Sequence, residues 1–219
     1  MHLAFIPDGN RRWAASKGLK LAEAYEVGIK KVKDVAEWSL KHGADQVSFW
    51  GFSTDNFNRS ESEKAQLFAL FRRFLMQVVE ELSETDKVSI LFTGDIDRFP
   101  KDIADMMRDV MSRTKGRSKI INIYAAYGGR EEIAQAAANL SKQGKEITVE
   151  SISKEISPML SDIDIIVRTS GEKRFSNFAL WKGAYAEFVF LDKYWPELTE
   201  QDIEKIFADF KSRERRFGK

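Results

Sequence analysis

The chain has 219 residues, no cysteine, and 35 basic against 34 acidic side chains. The absence of cysteine excludes disulfides, thiolate metal sites and thiol nucleophiles, and the balanced charge argues against nucleic acid as a partner. The two histidines, His2 near the terminus and His42 at a predicted helix end, argue against a histidine-ligated zinc site and a histidine base. No apolar run approaches the roughly 20 residues that cross a bilayer, and the N-terminus shows no signal-peptide pattern, so we expect a cytoplasmic protein with at most peripheral membrane contact.

Apolar runs rich in β-branched and aromatic residues predict six strands, at 3–6, 46–52, 88–92, 119–126, 164–167 and 185–191. Helical periodicity predicts helices over residues 22–41 and 101–113, and a weaker helical pattern covers 147–160. A third clear helix begins at a capping box at 60–63 and ends at residue 82. Further helices are predicted between the turn at 127–130 and about residue 142, and after residue 199. This alternation indicates an α/β fold, and 43% apolar residues suffice for the core of a single domain over residues 1–219.

The first predicted strand ends in a turn that carries one carboxylate and two arginines. Asp8-Gly9-Asn10 is strong turn chemistry, and a helix is expected to follow it. Backbone N–H groups at such a junction bind anions, Arg12 adds a fork of donors, and Asp8 can ligate the hard cation that accompanies a phosphate. We interpret this turn as a diphosphate and metal site. The alternative is a solvated turn before a helix with exposed arginines.

Two further predicted strands end in polar residues. Asn56 and Arg59 follow the second strand, and ligands of open α/β sheets bind beyond the carboxyl ends of strands. Arg168, Arg174 and Ser176 follow the fifth strand, in the densest anion-binding composition of the chain. A capping arginine in a solvated loop is the alternative for Arg59, and a frayed, solvated terminus is the alternative for the basic C-terminal tail.

The last predicted strand has a carboxylate, Glu187, within an otherwise apolar run. A carboxylate in such a run requires a partner or a metal.

These residues form a set of ordered motifs that resembles the cis-prenyltransferases, whose bacterial representative is undecaprenyl diphosphate synthase. The motifs are Asp8-Gly9-Asn10-Arg11-Arg12-Trp13, Phe52-Ser53-Thr54-Asp55-Asn56-Phe57-Asn58-Arg59, Thr93-Gly94-Asp95, Tyr127-Gly128-Gly129-Arg130, the stretch from Arg168 to Phe178, Trp181, Ala184-Tyr185-Ala186-Glu187 and the tail from Arg213 to Gly218. The resemblance covers essentially the whole chain. It implies a mostly parallel sheet of about six strands flanked by helices, usually in a dimer, and the predicted strand count is compatible with that fold.

The resemblance also implies a reaction. An allylic prenyl diphosphate ionises with the help of Mg²⁺, isopentenyl diphosphate attacks the cation, and loss of a proton leaves a Z double bond. The resemblance implies that Asp8 and Glu187 bind magnesium and that Asn56 is a polar group near the reacting carbons. It implies that the allylic diphosphate is bound by Gly9, Asn10, Arg12 and Arg59, beside Arg11 and Trp13, and that isopentenyl diphosphate is bound by Arg168, Arg174 and Ser176. It also implies that Arg216 and Gly218 complete the site of the neighbouring subunit.

The chain departs from the family pattern on the allylic side. An arginine and a histidine common in the family are replaced by Leu21 and Tyr25, and further departures are Phe57, Ala126 and Ser170. Three hypotheses follow: a regular Z-prenyl diphosphate synthase, which we expect to be a homodimer; an irregular non-head-to-tail coupling enzyme; or a non-catalytic subunit of a heteromeric prenyltransferase. Retention of Asp8 and the arginines argues against the third hypothesis.

A stripe of phenylalanines lies on the helix that is predicted after Arg59. Phe68, Phe71 and Phe74 are one turn apart, and Phe68 and Phe71 are nearer the site. In the resembled family the growing chain enters a tunnel beside this helix, so we expect these rings to form its floor and to favour a short or medium product. The alternative is that the stripe only packs in the core.

Overall fold

A computed structural model of the protein describes residues 1–82 and 87–213, except for the side chains at 78–80 and 82. The predicted site residues Arg216 and Gly218 therefore lie outside the described residues. The predicted helix that ends at residue 82 also has apolar side chains at positions 78, 79 and 82, and these side chains lie outside the described part of the structure as well.

The described residues contain one six-stranded sheet, and all of its strand pairs are parallel. The strands are β1 (His2–Ile6), β2 (Gln46–Ser53), β3 (Val88–Thr93), β4 (Lys119–Tyr127), β5 (Ile165–Arg168) and β6 (Glu187–Phe190), in the order β3-β4-β2-β1-β5-β6. The predicted fold class is confirmed, and most strand boundaries agree within one residue. The last strand is shorter than the prediction of 185–191.

Seven α-helices flank this sheet in the described part of the chain. They are α1 (Asn10–Lys17), α2 (Leu21–Lys41), α3 (Glu61–Leu82), α4 (Lys101–Arg113), α5 (Gly129–Lys142), α6 (Val149–Glu155) and α7 (Glu200–Ser212). The weak pattern at 147–160 forms only the short helix α6. The main-chain N–H of Glu63 donates to Ser60 Oγ at 3.4 Å, as the predicted capping box requires.

Successive residues of β1 pack into different apolar clusters, which shows that both faces of the sheet are covered. Leu3 and Phe5 belong to the cluster that also holds buried residues of α2, α3, α4 and α7. Ala4 and Ile6 belong to a second cluster with Tyr124 on β4. Because strand side chains alternate between faces, the sheet lies between two layers, and every residue of β1 is buried.

His2 is the polar exception in this buried strand. Its ring lies between the Ser161 carbonyl oxygen, 3.0 Å from Nδ1, and Ser48 Oγ, 2.8 Å from Nε2. Burial lowers the pKa of His2 from 6.5 to about 4. His2 is thus a neutral hydrogen-bonding residue inside the sheet, which agrees with the expectation that it is no catalytic base.

The strand order places the ends of β1 and β5 at a crevice. From β1 the chain continues to β2 on one side, while β5 pairs with β1 on the other side. Loops that leave neighbouring strands in opposite directions open a ligand crevice at the carboxyl edge of a sheet. None of the helices in the described residues combines the length and the apolar character that a membrane span requires.

Candidate active site

The turn after β1 is locked to the end of β5. The Asp8 N–H donates to Thr169 Oγ1 at 2.9 Å, and Thr169 Oγ1 donates to the Asp8 carbonyl oxygen at 2.7 Å. Gly9 has a φ of 99°, and a Cβ there would lie 2.6 Å from Tyr194 Cδ1 and 2.8 Å from Ser170 Cβ. Only glycine meets both the left-handed backbone and the lack of space, so the Asp8 position depends on Gly9.

Arg168 holds the Asp8 carboxylate from below this turn. Its Nη2 donates to Asp8 Oδ2 at 2.8 Å, and its Nη1 donates to the Arg174 carbonyl oxygen at 2.5 Å and to Ser176 Oγ at 3.0 Å. Arg168 is only 5% exposed, and its buried Nε has no hydrogen-bond partner among the described residues. The guanidinium is therefore fixed by its neighbours, with one donor still open, and it brings Asp8, Arg174 and Ser176 together.

Arg12 approaches the other oxygen of Asp8 from the first turns of α1. Its Nη2 lies 3.6 Å from Asp8 Oδ1 and also donates to Ser170 Oγ, while its Nη1 lies 2.9 Å from Glu172 Oε1. The Arg12 side chain is 46% exposed, so a ligand can reach it. Asp8 therefore lies between two guanidinium groups that belong to different elements.

Glu172 pairs with two arginines and was not recognised as a site residue in the sequence. Its Oε2 lies 2.5 Å from Arg174 Nη1 and its Oε1 contacts Arg12. The hydrogen bond from Arg174, followed by the charge of Arg12, lowers the pKa of Glu172. The feature of the sequence that could have identified Glu172 as a site residue is its position inside the arginine-rich motif. An incoming diphosphate would compete with this carboxylate for both guanidinium groups.

Trp195 connects the Asp8 turn to helix α2. Its main-chain N–H donates to the Asp8 carbonyl oxygen at 3.1 Å, and its indole Nε1 donates to the Gly28 carbonyl oxygen at 2.8 Å. A Cβ at Gly28 would lie 2.6 Å from Asn10 Oδ1, which is buried and has no partner among the described residues. Neither Trp195 nor Gly28 was predicted, because no local pattern links residues so far apart in the chain.

The polar residues after β2 lie across the crevice from Asp8. Asn56 Oδ1 accepts a hydrogen bond from the Ser53 N–H at 3.1 Å. Arg59 Nη1 lies 3.3 Å from Glu63 Oε1, and the same oxygen contacts Arg11 from α1. Arg11 and Arg59 thus share one carboxylate, which brings the starts of α1 and α3 together.

A cavity of about 510 Å³ opens between α2, α3 and the sheet, and it joins most of the predicted residues of the allylic side. Its polar lining consists of Asp8, Asn10, Arg11, Arg12, Ser53, Asn56 and Arg59, with Gly9 and Tyr25 beside them. Its apolar lining consists of Ile6, Ile29, Val32, Phe49, Phe52, Leu67, Leu70, Phe71, Phe74, Ile123 and Trp195 among others. The fold therefore places side chains that can bind a diphosphate next to an apolar space that can hold a hydrocarbon chain.

Trp13, a predicted binding residue of the allylic side, does not line this cavity. The indole Nε1 of Trp13 is buried without a hydrogen-bond partner in the described part of the chain, and Trp13 packs beside the site rather than in it. Leu21, the replacement noted at the start of α2, also does not line the cavity, whereas Tyr25 does.

The expectation for the phenylalanine stripe was partly wrong. Phe71 and Phe74 line the cavity, but Phe68 does not. The ring of Phe68 instead packs with Phe52 and Phe99, with centroids 6.1 and 5.6 Å away. Phe68 is a partly buried residue that packs against the core, because α3 turns its ring toward Phe52 and Phe99 rather than toward the cavity.

Glu187 does not meet Asp8 within one chain. It is the first residue of β6 and pairs in register with Ile165, whereas Phe190 at the other end of β6 pairs with Arg168. Three residues of strand separate it from the carboxyl edge by about 10 Å. Its Oε2 lies 3.0 Å from Arg213 Nη1, which supplies the partner that a carboxylate in this run requires. Glu187 therefore does not lie next to Asp8 within one chain, and magnesium binding by both acidic residues stays a prediction.

Comparisons with known proteins identify the family. A family model of undecaprenyl diphosphate synthases among the prenyltransferases matches residues 6–218. Isoprenyl transferase 2 of Bradyrhizobium diazoefficiens is 36% identical over 226 residues, which cover 99% of this chain and 89% of the relative. The farnesyl-diphosphate-specific undecaprenyl diphosphate synthase of Shewanella oneidensis is 35% identical, over 99% of this chain and 82% of the relative.

A solved structure shows the same fold. The lavandulyl diphosphate synthase from Lavandula x intermedia, in complex with dimethylallyl diphosphate, has a TM-score of 0.92 and 29% identity, covering 100% of this chain and 98% of that one. Together with the sequence matches, this likeness confirms the resemblance that the motifs indicated. The chain is therefore a cis-prenyltransferase and belongs to the undecaprenyl diphosphate synthase family.

Proposed function

We propose that this protein condenses isopentenyl diphosphate with an allylic prenyl diphosphate to form a Z-prenyl diphosphate, with Mg²⁺ as cofactor. The observation that carries the proposal is the position of Asp8 between Arg12 and Arg168, next to an apolar cavity of about 510 Å³. Such a site binds a diphosphate head and a hydrocarbon tail at the same time. An allylic diphosphate has these two parts.

The residues near Asp8 fit a magnesium ion that is bound mainly through its substrate. The described residues contain no cluster of three or more acidic or histidine side chains that could hold an ion alone. Mg²⁺ is commonly held by one or two carboxylates together with phosphate oxygens and water, and the Asp8 carboxylate is 29% exposed toward the crevice. Bound there, the ion would neutralise charge on the departing diphosphate.

The protein's own groups would disperse the negative charge that grows as the allylic diphosphate leaves. Arg12 comes from α1 and Arg59 from the residues just before α3, on two sides of the cavity, and Gly9 lies beside them in its lining. Preorganised donors of this kind stabilise the transition state more than the ground state. Asn56 lies in the same lining, where its amide can face the reacting carbons.

Isopentenyl diphosphate would occupy the neighbouring position on the β5 side. Arg168, Arg174 and Ser176 meet there through the hydrogen bonds of the Arg168 guanidinium, and they are absent from the cavity lining. Arg174 is 58% exposed and can turn to a ligand. Asp8 stands between the two positions, so it can act on the leaving group of one substrate while the other is held.

An irregular coupling is the second candidate. It is favoured by the likeness to the lavandulyl diphosphate synthase and by Tyr25, which lines the cavity at the position where the resembled family pattern has a histidine. In this reading the acceptor would be a second dimethylallyl-type unit rather than isopentenyl diphosphate. Phe71 and Phe74 in the cavity lining favour a short or medium product under either candidate.

We further propose that the protein is a cytoplasmic homodimer whose contact includes the β6 edge of the sheet. An aromatic surface lies at this edge: the rings of Phe175 and Phe188 are 4.4 Å apart, and Tyr185 is 83% exposed. Exposed aromatic clusters at a sheet edge are typical of protein interfaces. A partner there would also approach Glu187, which a single chain leaves away from Asp8.

The experiment is incubation of the purified protein with Mg²⁺, isopentenyl diphosphate and allylic diphosphates of graded length, followed by mass spectrometry. Products that grow by one isopentenyl unit at a time support the regular reaction. Products from dimethylallyl diphosphate alone support the irregular one. Absence of any product, with the protein folded and dimeric, would leave a non-catalytic subunit as the remaining hypothesis.

A further inference from the structure

The 3₁₀ turn Thr54–Asn58 carries the polar residues that follow β2, but few hydrogen bonds hold it. The Arg59 N–H donates to the Asn56 carbonyl oxygen at 3.2 Å, and the Ser53 N–H donates to Asn56 Oδ1 at 3.1 Å. Both bonds are local, and among the described residues they reach no further than Ser53 at the end of β2. Beside the ion pair of Arg59 with Glu63, the position of this turn at the cavity therefore depends on side-chain packing.

Phe57 is the apolar side chain of this turn, and it is held between two consecutive residues of another segment. On the inner side its ring packs with Phe52 and Phe99, with centroids 4.9 and 5.7 Å away. On the outer side the Arg98 guanidinium carbon lies 4.2 Å from the centroid of the same ring. Phe99 is buried and Arg98 is exposed, so the pair encloses Phe57 from both sides.

The segment that carries Arg98 is itself firmly placed. It is the 3₁₀ turn Ile96–Arg98, and the Asp95 N–H before it donates to the Ala126 carbonyl oxygen at 3.2 Å. Gly94 permits this close approach, because a Cβ there would lie 2.1 Å from the Ala125 carbonyl oxygen. Arg98 is thus anchored to the end of β4.

Arg98 has no ion-pair partner among the residues that the structure describes. Its neighbour Asp97 pairs with Arg108, but no carboxylate contacts the Arg98 guanidinium. A guanidinium over an aromatic face is attracted by the negative face of the ring, and its planar shape allows it to stack. The contact with Phe57 is therefore the interaction that fixes this side chain.

We propose that Arg98 is a positioning residue: it holds the turn Thr54–Asn58, and with it Asn56 and Arg59, against the cavity by clamping Phe57. The proposal rests on the proposed function in one respect, that Asn56 and Arg59 act on the allylic substrate. Arg98 itself does not line the cavity of about 510 Å³, and its guanidinium lies over the Phe57 ring.

The first test compares Arg98→Met, which keeps an unbranched apolar side chain without charge, with Arg98→Lys, which keeps a cation. We expect Arg98→Met to lower kcat/KM for the allylic diphosphate by about two- to fivefold, the range for an exposed cation–π contact, with KM for isopentenyl diphosphate unchanged. Arg98→Lys should recover part of the loss. Arg72→Met is the matched control, since this exposed arginine of α3 pairs with Asp102 and lies away from Phe57. An equal rise of both KM values would overturn the proposal.

The second test is a double-mutant cycle with Phe57→Leu. If Arg98 acts through Phe57, then Arg98→Met should have no further effect in the Phe57→Leu background. Additive effects would contradict the proposal. Hydrogen exchange of residues 53–59 separates this inference from the proposed function, because it needs no turnover. Faster exchange in Arg98→Met supports the clamp even in a catalytically silent protein, and equal exchange rates overturn it.

Discussion

The carboxylate of Asp8 and the guanidinium of Arg168 meet at 2.8 Å across the ends of two adjacent strands, although 160 residues separate them in the chain. Arg168 is almost fully buried, and Asp8 is its only charged partner among the described residues. The pair therefore has two roles. It orients Asp8 toward the crevice, and it compensates a guanidinium that would otherwise be buried without a counter-charge.

The two roles of this pair can be separated with two substitutions at Asp8. Asp8→Asn removes the charge but keeps one side-chain oxygen, which can accept from Arg168 Nη2, while its NH2 group replaces the oxygen that accepts from the Gly9 N–H. We expect kcat to fall about 10²-fold or more, with a smaller loss of stability than in Asp8→Ala, because the hydrogen bond to Arg168 is kept. Asp8→Ala should lose the same activity and about 3 kcal/mol of stability, because the buried Arg168 guanidinium loses this hydrogen bond as well as its counter-charge.

The control for this prediction is Asp95→Asn, which changes an exposed aspartate at the same edge of the sheet that does not line the substrate cavity. It should leave both activity and stability close to those of the wild type. Turnover by Asp8→Asn within threefold of the wild-type rate would remove Asp8 from the chemical step.

Arg174 gives a cleaner test of the isopentenyl diphosphate position than Arg168. Its side chain is 58% exposed and contacts Glu172, so Arg174→Ala should not perturb the fold. A lost charge-assisted contact is worth about 1.5 to 3 kcal/mol, which raises KM for isopentenyl diphosphate about tenfold or more. Steady-state kinetics with each substrate varied in turn would measure this. A rise confined to the allylic KM would show that the two diphosphate positions are exchanged.

His2 should make stability depend on pH. Its pKa is about 4 in the folded protein and 6.5 when solvated, so the unfolded chain binds more protons between these values. Stability is then fully present above about pH 6.5 and falls as the pH drops toward 4, by about 3 kcal/mol in total. Urea unfolding at a series of pH values measures this. The loss should shrink in His2→Asn but persist in His42→Asn, and identical slopes in all three proteins would refute the assignment.

Much of the site could be predicted because parallel strands end at one edge of a sheet. That rule places Asp8, Asn56 and Arg168 together without any knowledge of the turns that follow. The rule does not apply to Glu187, which lies at the amino end of β6, and the position of a carboxylate along its strand depends on register, which the apolar run alone does not define.

Long-range hydrogen bonds to the main chain could not be predicted from the sequence, for a different reason. The bond from the Trp195 indole to the Gly28 carbonyl oxygen uses a backbone group that every residue possesses. No residue type marks such an acceptor in a sequence. Glu172 could have been found, because it stands between two arginines of one motif, and a carboxylate there is expected to pair with them.

The orientation of the phenylalanine stripe needed the structure, because helical periodicity gives a wide apolar face but not its centre. The structure now supports a sharper pair of predictions. The Phe71 ring lines the cavity, and its Cζ lies 3.4 Å from where a Cβ of Gly51 would be, whereas Phe68 packs only in the aromatic core. Phe71→Ala should therefore enlarge the cavity and lengthen the product.

Phe68→Ala is the matched variant on the same helix, one turn away. It should lower stability by up to about 3 kcal/mol, because the Phe68 ring is only partly buried against the core, and leave the product length unchanged. Phe71→Ala will also lose stability, because its ring packs with Phe99 at 5.2 Å, so the melting curve alone does not separate the two variants. Product length does. Longer products from Phe71→Ala alone support a floor at Phe71, whereas longer products from Phe68→Ala, or unchanged products from both variants, would show that the hydrocarbon does not end against this ring.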